Sequence, residues 1–206
     1  MKKRLIFVLL LLALFFLANC SKNENSISKQ IKKCESFKTQ FDKDECYNNV
    51  TLSSKTLNLC DRISDSSKKI SCYKSSALLS LNISLCNSIN EELGKNICIR
   101  QVALSQNNPE SCKAIMETNQ RDLCLRNIAI KQKDTALCYS IEGEFQKDIC
   151  FSTIGKLTGD TKACDMAKNQ QNRDLCYLGA VKIIREISFC SNIQNKTVKD
   201  ECIKFS

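Results

Sequence analysis

Histidine and tryptophan are absent from this sequence of 206 residues, proline occurs once, and glycine five times. Without histidine there is no Ser–His–Asp triad, no Cys–His nucleophile pair and no imidazole metal ligand. Five scattered glycines build no phosphate-cradling loop. So little glycine and proline argues against a turn-rich all-β fold, and the many Lys, Glu, Leu and Ile residues favour helices. Charge of one sign is also in short supply. The net charge is +9, but Lys2, Lys3 and Arg4 belong to an N-terminal leader, and the rest carries 28 basic and 22 acidic residues. That mild excess over a long body is no nucleic-acid patch, so no nucleic-acid partner is expected.

What is plentiful is cysteine, 15 residues in all, approaching the usage of disulfide scaffolds. Setting Cys20 aside, the others are Cys34, Cys46, Cys60, Cys72, Cys86, Cys98, Cys112, Cys124, Cys138, Cys150, Cys164, Cys176, Cys190 and Cys202, with separations alternating 12 and 14. The pattern repeats seven times without an insertion, and a fixed period of this size denotes a stacked array. No CxxC occurs, so neither a metal nor a cofactor is expected.

Other positions repeat in phase. Three residues after the first cysteine of each unit come Phe37, Ile63, Ile89, Ile115, Ile141, Ala167 and Ile193. Directly after the second come Tyr47, Tyr73, Ile99, Leu125, Phe151, Tyr177 and Ile203. Five after it come Thr51, Ala77, Ala103, Ala129, Gly155 and Val181, small or β-branched residues that let helices approach closely. Each unit reads as two helices. Asn82, Asn108, Asp134 and Asp160 are N-cap residues four positions before the first cysteine, and Asn108-Pro109 places proline at the first helical position. A short helix through the first cysteine is followed by breakers (Ser64 to Ser67, Asn90, Thr118-Asn119, Gly143). A longer helix then carries the second cysteine, as over 120–131, with Leu125, Ile128 and Ala129 at i, i+3 and i+4. Repeated αα-hairpins of this kind stack into an α-solenoid.

Two pairing registers fit the cysteines. Joining the two cysteines of each unit uses all fourteen, from Cys34–Cys46 through Cys86–Cys98 to Cys190–Cys202. Joining each second cysteine to the first of the following unit strands Cys34 and Cys202. The within-hairpin register is therefore expected. One such short unit has too little core to stand alone, and a bond closing its loop adds about 3 kcal/mol in the chain-entropy view. The residue before the second cysteine is Ile97, Leu123, Ile149 or Leu175 in inner units, but Glu45, Ser71 and Glu201 near the ends. Polar residues there are expected to cap a complete array.

The leader explains the redox compartment. Behind its three basic residues, Leu5 to Leu17 is an uncharged apolar run. As a helix it would reach about 20 Å, short of a hydrocarbon core of about 30 Å, so it reads as a signal-peptide core and not a span. It ends at Leu17-Ala18-Asn19-Cys20, which resembles the lipobox of bacterial lipoproteins, with Asn19 where Gly, Ala or Ser is usual. The resemblance implies cleavage before Cys20 and acylation of that residue. It would thus hold the protein on the membrane through acyl chains, two or more of which anchor stably. Ser21 resembles the sorting position of outer-membrane lipoproteins, so the expected location is the outer membrane, on its periplasmic or surface face. Disulfides persist in such an oxidising compartment.

The domain reading is a signal peptide (1–19), a lipidated cysteine with a polar tether (20–33), and a repeat body (34–206) divided at 34–59, 60–85, 86–111, 112–137, 138–163, 164–189 and 190–206. Ile27 and Ile31 allow the tether's second half to be helical instead. In design the body resembles stapled αα-repeat proteins of the Sel1-like and tetratricopeptide groups, whose units are longer. That resemblance implies architecture only.

Three residues before each second cysteine stands a basic residue: Lys43, Lys69, Lys95, Arg121, Lys147, Arg173 and Lys199. Stacked, these make a ladder for an acidic polymer or partner, or simply a solvated helix face. Asp44, Asp122, Asp148, Asp174 and Asp200 follow five of them and are expected in the first turn of the longer helix, where the dipole favours them and they blunt the ladder's field. The aromatic residues Phe37, Tyr47, Tyr73, Phe151 and Tyr177 could line a groove, but at these phased positions they are expected in the core. With no catalytic constellation, the leading expectation is an interaction scaffold for a protein or glycan partner. An envelope enzyme acting on wall polymers through carboxylates and a passive coat protein are the alternatives.

Overall fold

A computed structural model describes residues 26–54 and 57–205, with backbone only at 57 and 58. The leader, Cys20 and the start of the tether lie outside the described residues. The fold is all-α, with no strand among the described residues, and its helix pairs recur in step with the cysteines, in the α-solenoid class. Two compact units divide the chain after Ile89.

In the first unit, α1 (26–35) runs through the expected tether boundary and carries Cys34. It is followed by α2 (Gln40–Ser54), a 3-10 turn (Leu57–Arg62), α3 (Ser66–Ser80) and a second 3-10 turn (Ile83–Ser88). α2 packs on α3. The second unit holds α4 (Glu92–Gln106), a 3-10 turn (Pro109–Ala114), α5 (Thr118–Gln132), α6 (Thr135–Tyr139), α7 (Glu144–Thr158), α8 (Thr161–Met166), α9 (Gln170–Ile184), a 3-10 turn (Ile187–Asn192) and α10 (Lys196–Ile203). There α4 packs on α5, α5 on α7, α7 on α9, and α9 on α10.

All fourteen periodic cysteines are disulfide-bonded. Cys34–Cys46, Cys60–Cys72, Cys112–Cys124, Cys138–Cys150, Cys164–Cys176 and Cys190–Cys202 join residues 12 apart, with Cα atoms 5.4 to 5.8 Å from each other. Each of these six bonds lies within one unit and ties the short element of a hairpin to its long helix. The remaining two cysteines fall on either side of the division between the units. Cys86 stands in the 3-10 turn that ends the first unit and Cys98 in α4 of the second. Both are wholly buried and disulfide-bonded. Around the staples lies the phased core, in which Ile63, Ile115, Ile141, Ala167 and Ile193 are buried, as are Tyr47, Tyr73, Ile99, Phe151 and Tyr177. Three in-phase residues differ: Phe37 is 38% exposed, Ile203 is 47% exposed, and Leu125 is half-buried.

Local chemistry sets the helix ends. Asn82, Asn108, Asp134 and Asp160 accept backbone N–H bonds at the starts of their short elements. α4 and α7 begin just after the breakers Asn90 and Gly143, whereas α3 and α5 begin inside theirs, at Ser66 and Thr118. Thr118 and Asn119 form the first turn of α5, because the Glu117 carboxylate accepts from the amides of Asn119 and Gln120. Each long helix from α3 to α9 ends on a left-handed residue: Leu81, Asn107, Lys133, Gly159 or Arg185. The following amides of Asn82, Asn108 and Asp134 then bond back to Ala77, Ala103 and Ala129 at 2.9 to 3.0 Å, the Schellman arrangement.

The small register five after the second cysteine sits against the next staple. A Cβ on Gly155 would lie 2.5 Å from Cys176 Sγ, 2.8 Å from the Asp160 carbonyl oxygen and 2.9 Å from Cys164 Sγ. On the facing helix, a Cβ on Gly179 would lie 2.3 Å from Lys156 Cγ, so both glycines permit the close approach of α7 and α9. Gly155→Val should therefore force backbone or staple to shift and cost about 1–3 kcal/mol. Urea denaturation followed by circular dichroism checks this, with Ala103→Val as a comparison in the same register.

Aspartates tie hairpin to hairpin. Asp44 Oδ1 and Oδ2 accept from the amides of Ser64 (3.0 Å) and Asp65 (2.9 Å). Asp122 accepts from Glu142 (3.2 Å) and Gly143 (2.7 Å), and Asp174 from Gln194 (3.1 Å) and Asn195 (2.8 Å). Asp148 accepts from Asn169 at 2.8 Å. These carboxylates are buried and sit in the second turn of their own helices, not the first. Asp65, Gly143, Asn169 and Asn195 are the N-cap residues of α3, α7, α9 and α10. Each aspartate thus holds the start of the next long helix. Asp200 is exposed and takes Lys196 Nζ at 3.1 Å instead.

The residues just after the two cysteines form a second cross-tie within some hairpins. Tyr73 donates its hydroxyl to Asp61, and Tyr177 to Asp165. Tyr139 and Phe151 meet edge to face, with centroids 4.9 Å apart. Burial first, then the adjacent carboxylate, push the Tyr73 and Tyr177 phenols from 10.0 up to about 12. A raised folded-state value means that their contribution is intact below pH 10 and lost as pH rises to about 12. The denaturation midpoint should fall across that window, and Tyr73→Phe with Tyr177→Phe should flatten the fall.

Candidate functional site

The basic ladder occupies one register of the long helices, three residues before the second cysteine. Lys69, Arg121, Lys147 and Arg173 are half-buried, as long cationic side chains are when their stems lie along apolar surface. Several members have local partners. Arg121 pairs with Glu142 at 2.8 Å, Arg173 donates to Gln170 Oε1 at 2.6 Å, and Lys199 donates to the Ser191 carbonyl at 3.3 Å. Lys147 lines a groove of about 210 Å³ with Tyr139, Phe151 and the Glu144–Lys168 pair, whose N···O distance is 2.6 Å. The Lys168 hydrogen bond holds the Glu144 carboxyl below its usual value.

Asp44, Asp122, Asp148 and Asp174 do not serve as surface counter-charges of the ladder; they turn inward to backbone amides of the following hairpin and join neighbours, while Asp200 stays exposed. Burial pushes the Asp44 carboxyl up, but the amides of Ser64 and Asp65, the Gln40 side chain and the Lys68 charge together hold it below 3.8. For Asp174, burial is likewise outweighed by the amides of Asn195 and Gln194, the Gln170 side chain and the Arg173 charge.

The expected apolar edge is also placed differently. Ile97, Leu123 and Ile149 are only half-buried, and Leu175 is 39% exposed beside a groove of about 470 Å³ that includes Gln171, Gln194 and Val198. In these inner hairpins the register is partly solvated. In the first unit, the exposed Phe37 lines a groove of about 590 Å³ with Gln30, Lys33, Glu45 and Val50.

One cluster escaped the sequence reading. Arg100 and Arg126 stand two residues after the second cysteines of α4 and α5. Arg100 Nη1 donates to Gln120 Oε1 at 3.2 Å, and Arg126 Nη1 to Gln146 Oε1 at 2.6 Å. Arg126 Nη2 also reaches Asn127 Oδ1 at 3.3 Å, and Gln146 Nε2 reaches Asn119 Oδ1 at 3.3 Å. Among the described residues neither arginine forms an ion pair, and Arg126 Nε and Gln101 Oε1 are buried with no hydrogen-bond partner. Burial, then repulsion from Arg100, lowers the Arg126 guanidinium from its ordinary value. The register varies among hairpins (Asn48, Lys74, Ser152, Leu178), so periodicity alone could not single it out.

Among the described residues no group of His, Cys, Asp and Glu is placed to hold a metal ion, and no helix is long and apolar enough to cross a membrane. No family model, curated protein or solved structure matches this chain.

Proposed function

We propose that this protein is a lipid-anchored interaction scaffold of the bacterial cell envelope, held on the outer membrane through Cys20, and not an enzyme. The observation that carries the reading is the separation of frame from surface. Staples, phased core and aspartate ties use equivalent buried positions in successive hairpins. Solvent positions beside them change freely, as at Asn90, Met116, Glu142, Lys168 and Gln194, each four after a first cysteine. A frame that tolerates such variation suits selective contact with a partner. The disulfides suit an oxidising, exported compartment, and the lipobox resemblance supplies the anchor.

Proximity crosslinking on intact cells tests the scaffold reading. It should recover one reproducible partner protein, and recovery of none would count against it. Metabolic labelling with a clickable fatty acid tests the anchor. Label is expected on the wild-type protein and absent from Cys20→Ala, and an unlabelled wild-type protein would mean that no acyl chain holds it.

A further inference from the structure

We propose that Arg100 and Arg126 form a carboxylate-binding site for an extended acidic segment of a partner protein, with the neighbouring amides of Gln101, Gln120, Asn127 and Gln146 bonding its backbone. The inference rests on the scaffold reading and names the partner's chemistry.

The arginines are the unusual element. Arg62 pairs with Glu35 at 2.6 Å and Arg121 with Glu142 at 2.8 Å, and Arg173 lies within reach of the Asp174 charge. Arg100 and Arg126 have only neutral amide oxygens. A partly desolvated cation without a counter-charge is costly, and two near each other more so. A bound anion removes that cost. The guanidinium fork matches a carboxylate in plane and spacing.

The amides decide between kinds of acid. Each side-chain amide offers both a donor and an acceptor, matching the alternating N–H and C=O of an extended peptide. None of these six residues is aromatic, so they offer no flat apolar face to a sugar ring. Packed helices lie about 8–10 Å apart, and one three-residue turn of polyproline-II chain spans about the same distance and returns its side chains to the same side. The segment therefore presents two carboxylates three residues apart.

The test is a binding titration on the purified, disulfide-intact protein. The probe is a fluorescein-labelled octapeptide with Glu at its third and sixth positions and Ser or Gly elsewhere, and its control replaces both Glu by Gln. The Glu peptide should bind at least about tenfold more tightly than the Gln peptide. R100Q and R126Q should each lose about that factor, whereas R121Q, outside the cluster, should bind as wild type. Without ligand, R126Q should melt no lower than wild type, since it removes an uncompensated charge. Equal binding of the two peptides would overturn the proposal. So would stronger competition by inorganic phosphate or polygalacturonate than by unlabelled Glu peptide, or an R126Q protein that fails to fold. On cells, partner capture lost in R100Q/R126Q supports the site. Capture unchanged in that variant overturns the site and leaves the scaffold reading standing. Should wild type capture nothing, the scaffold reading falls and takes this inference with it.

Discussion

Cys138→Ala/Cys150→Ala protein is expected to unfold with about 3 kcal/mol less stability than wild type in urea. The staple joins α6 to α7 across a sequence separation of 12. Both sulfurs are wholly buried, with Ile141, Phe151 and Ile154 in the same cluster. The open chain regains loop entropy, and the two alanines leave part of the sulfur volume unfilled, which adds to the loss. Full reduction with dithiothreitol should go further and abolish a cooperative transition, because one hairpin encloses too small a core to stand unaided. The far-ultraviolet circular dichroism of the helices, followed against urea with and without reductant, measures both effects. An unchanged midpoint in the double variant would show that packing alone holds the hairpin.

Asp122→Ala carries the second large effect. Alanine leaves the Glu142 and Gly143 amides without the acceptors they have at 3.2 and 2.7 Å. Two amides losing their partners, both held by a buried carboxylate, correspond to about 2–4 kcal/mol. Asp122→Asn keeps one acceptor oxygen and should lose less. Acid should produce the same kind of loss by titration. The folded-state values of Asp44 and Asp174 lie below the ordinary 3.8. Their contribution is therefore present above 3.8 and disappears as pH falls through the lower folded values. Urea midpoints taken from neutral to strongly acid pH should drop in that window, and the drop should shrink in Asp44→Asn/Asp174→Asn protein.

Within a hairpin, the sequence disclosed the staples and several N-caps, though not the Tyr73–Asp61 and Tyr177–Asp165 bonds. The alternating cysteine separations specified the register of Cys112–Cys124 and its companions, and Asn108 and Asp134 announced helix starts, because both effects are local. Contacts from one hairpin to the next were not legible. Asp122 looked like a first-turn dipole partner, yet it bonds the backbone of Gly143 in the next hairpin, and nothing at position 143 advertises an amide awaiting a carboxylate. The Arg100 and Arg126 cluster was invisible for a related reason. Its significance lies in missing counter-charges, which depend on what surrounds a side chain in space. The basic ladder had the opposite fate. It is regular in sequence, but Arg121 has a neighbouring glutamate and the Lys147 groove carries the Glu144–Lys168 pair.

Hairpins closed by sulfur outside the reducing cytosol are the central claim, and peptide mapping of protein isolated from cells tests it most directly. Lysates made in excess iodoacetamide, without reductant, should yield none of the fourteen periodic cysteines alkylated. Each should be recovered crosslinked within its own hairpin, Cys34 to Cys46, Cys86 to Cys98 and so on to Cys190 with Cys202, and the leader should be absent. Two results would contradict the claim: alkylated periodic cysteines in a chain that still carries its first nineteen residues, or crosslinks that run between hairpins, such as Cys46 to Cys60.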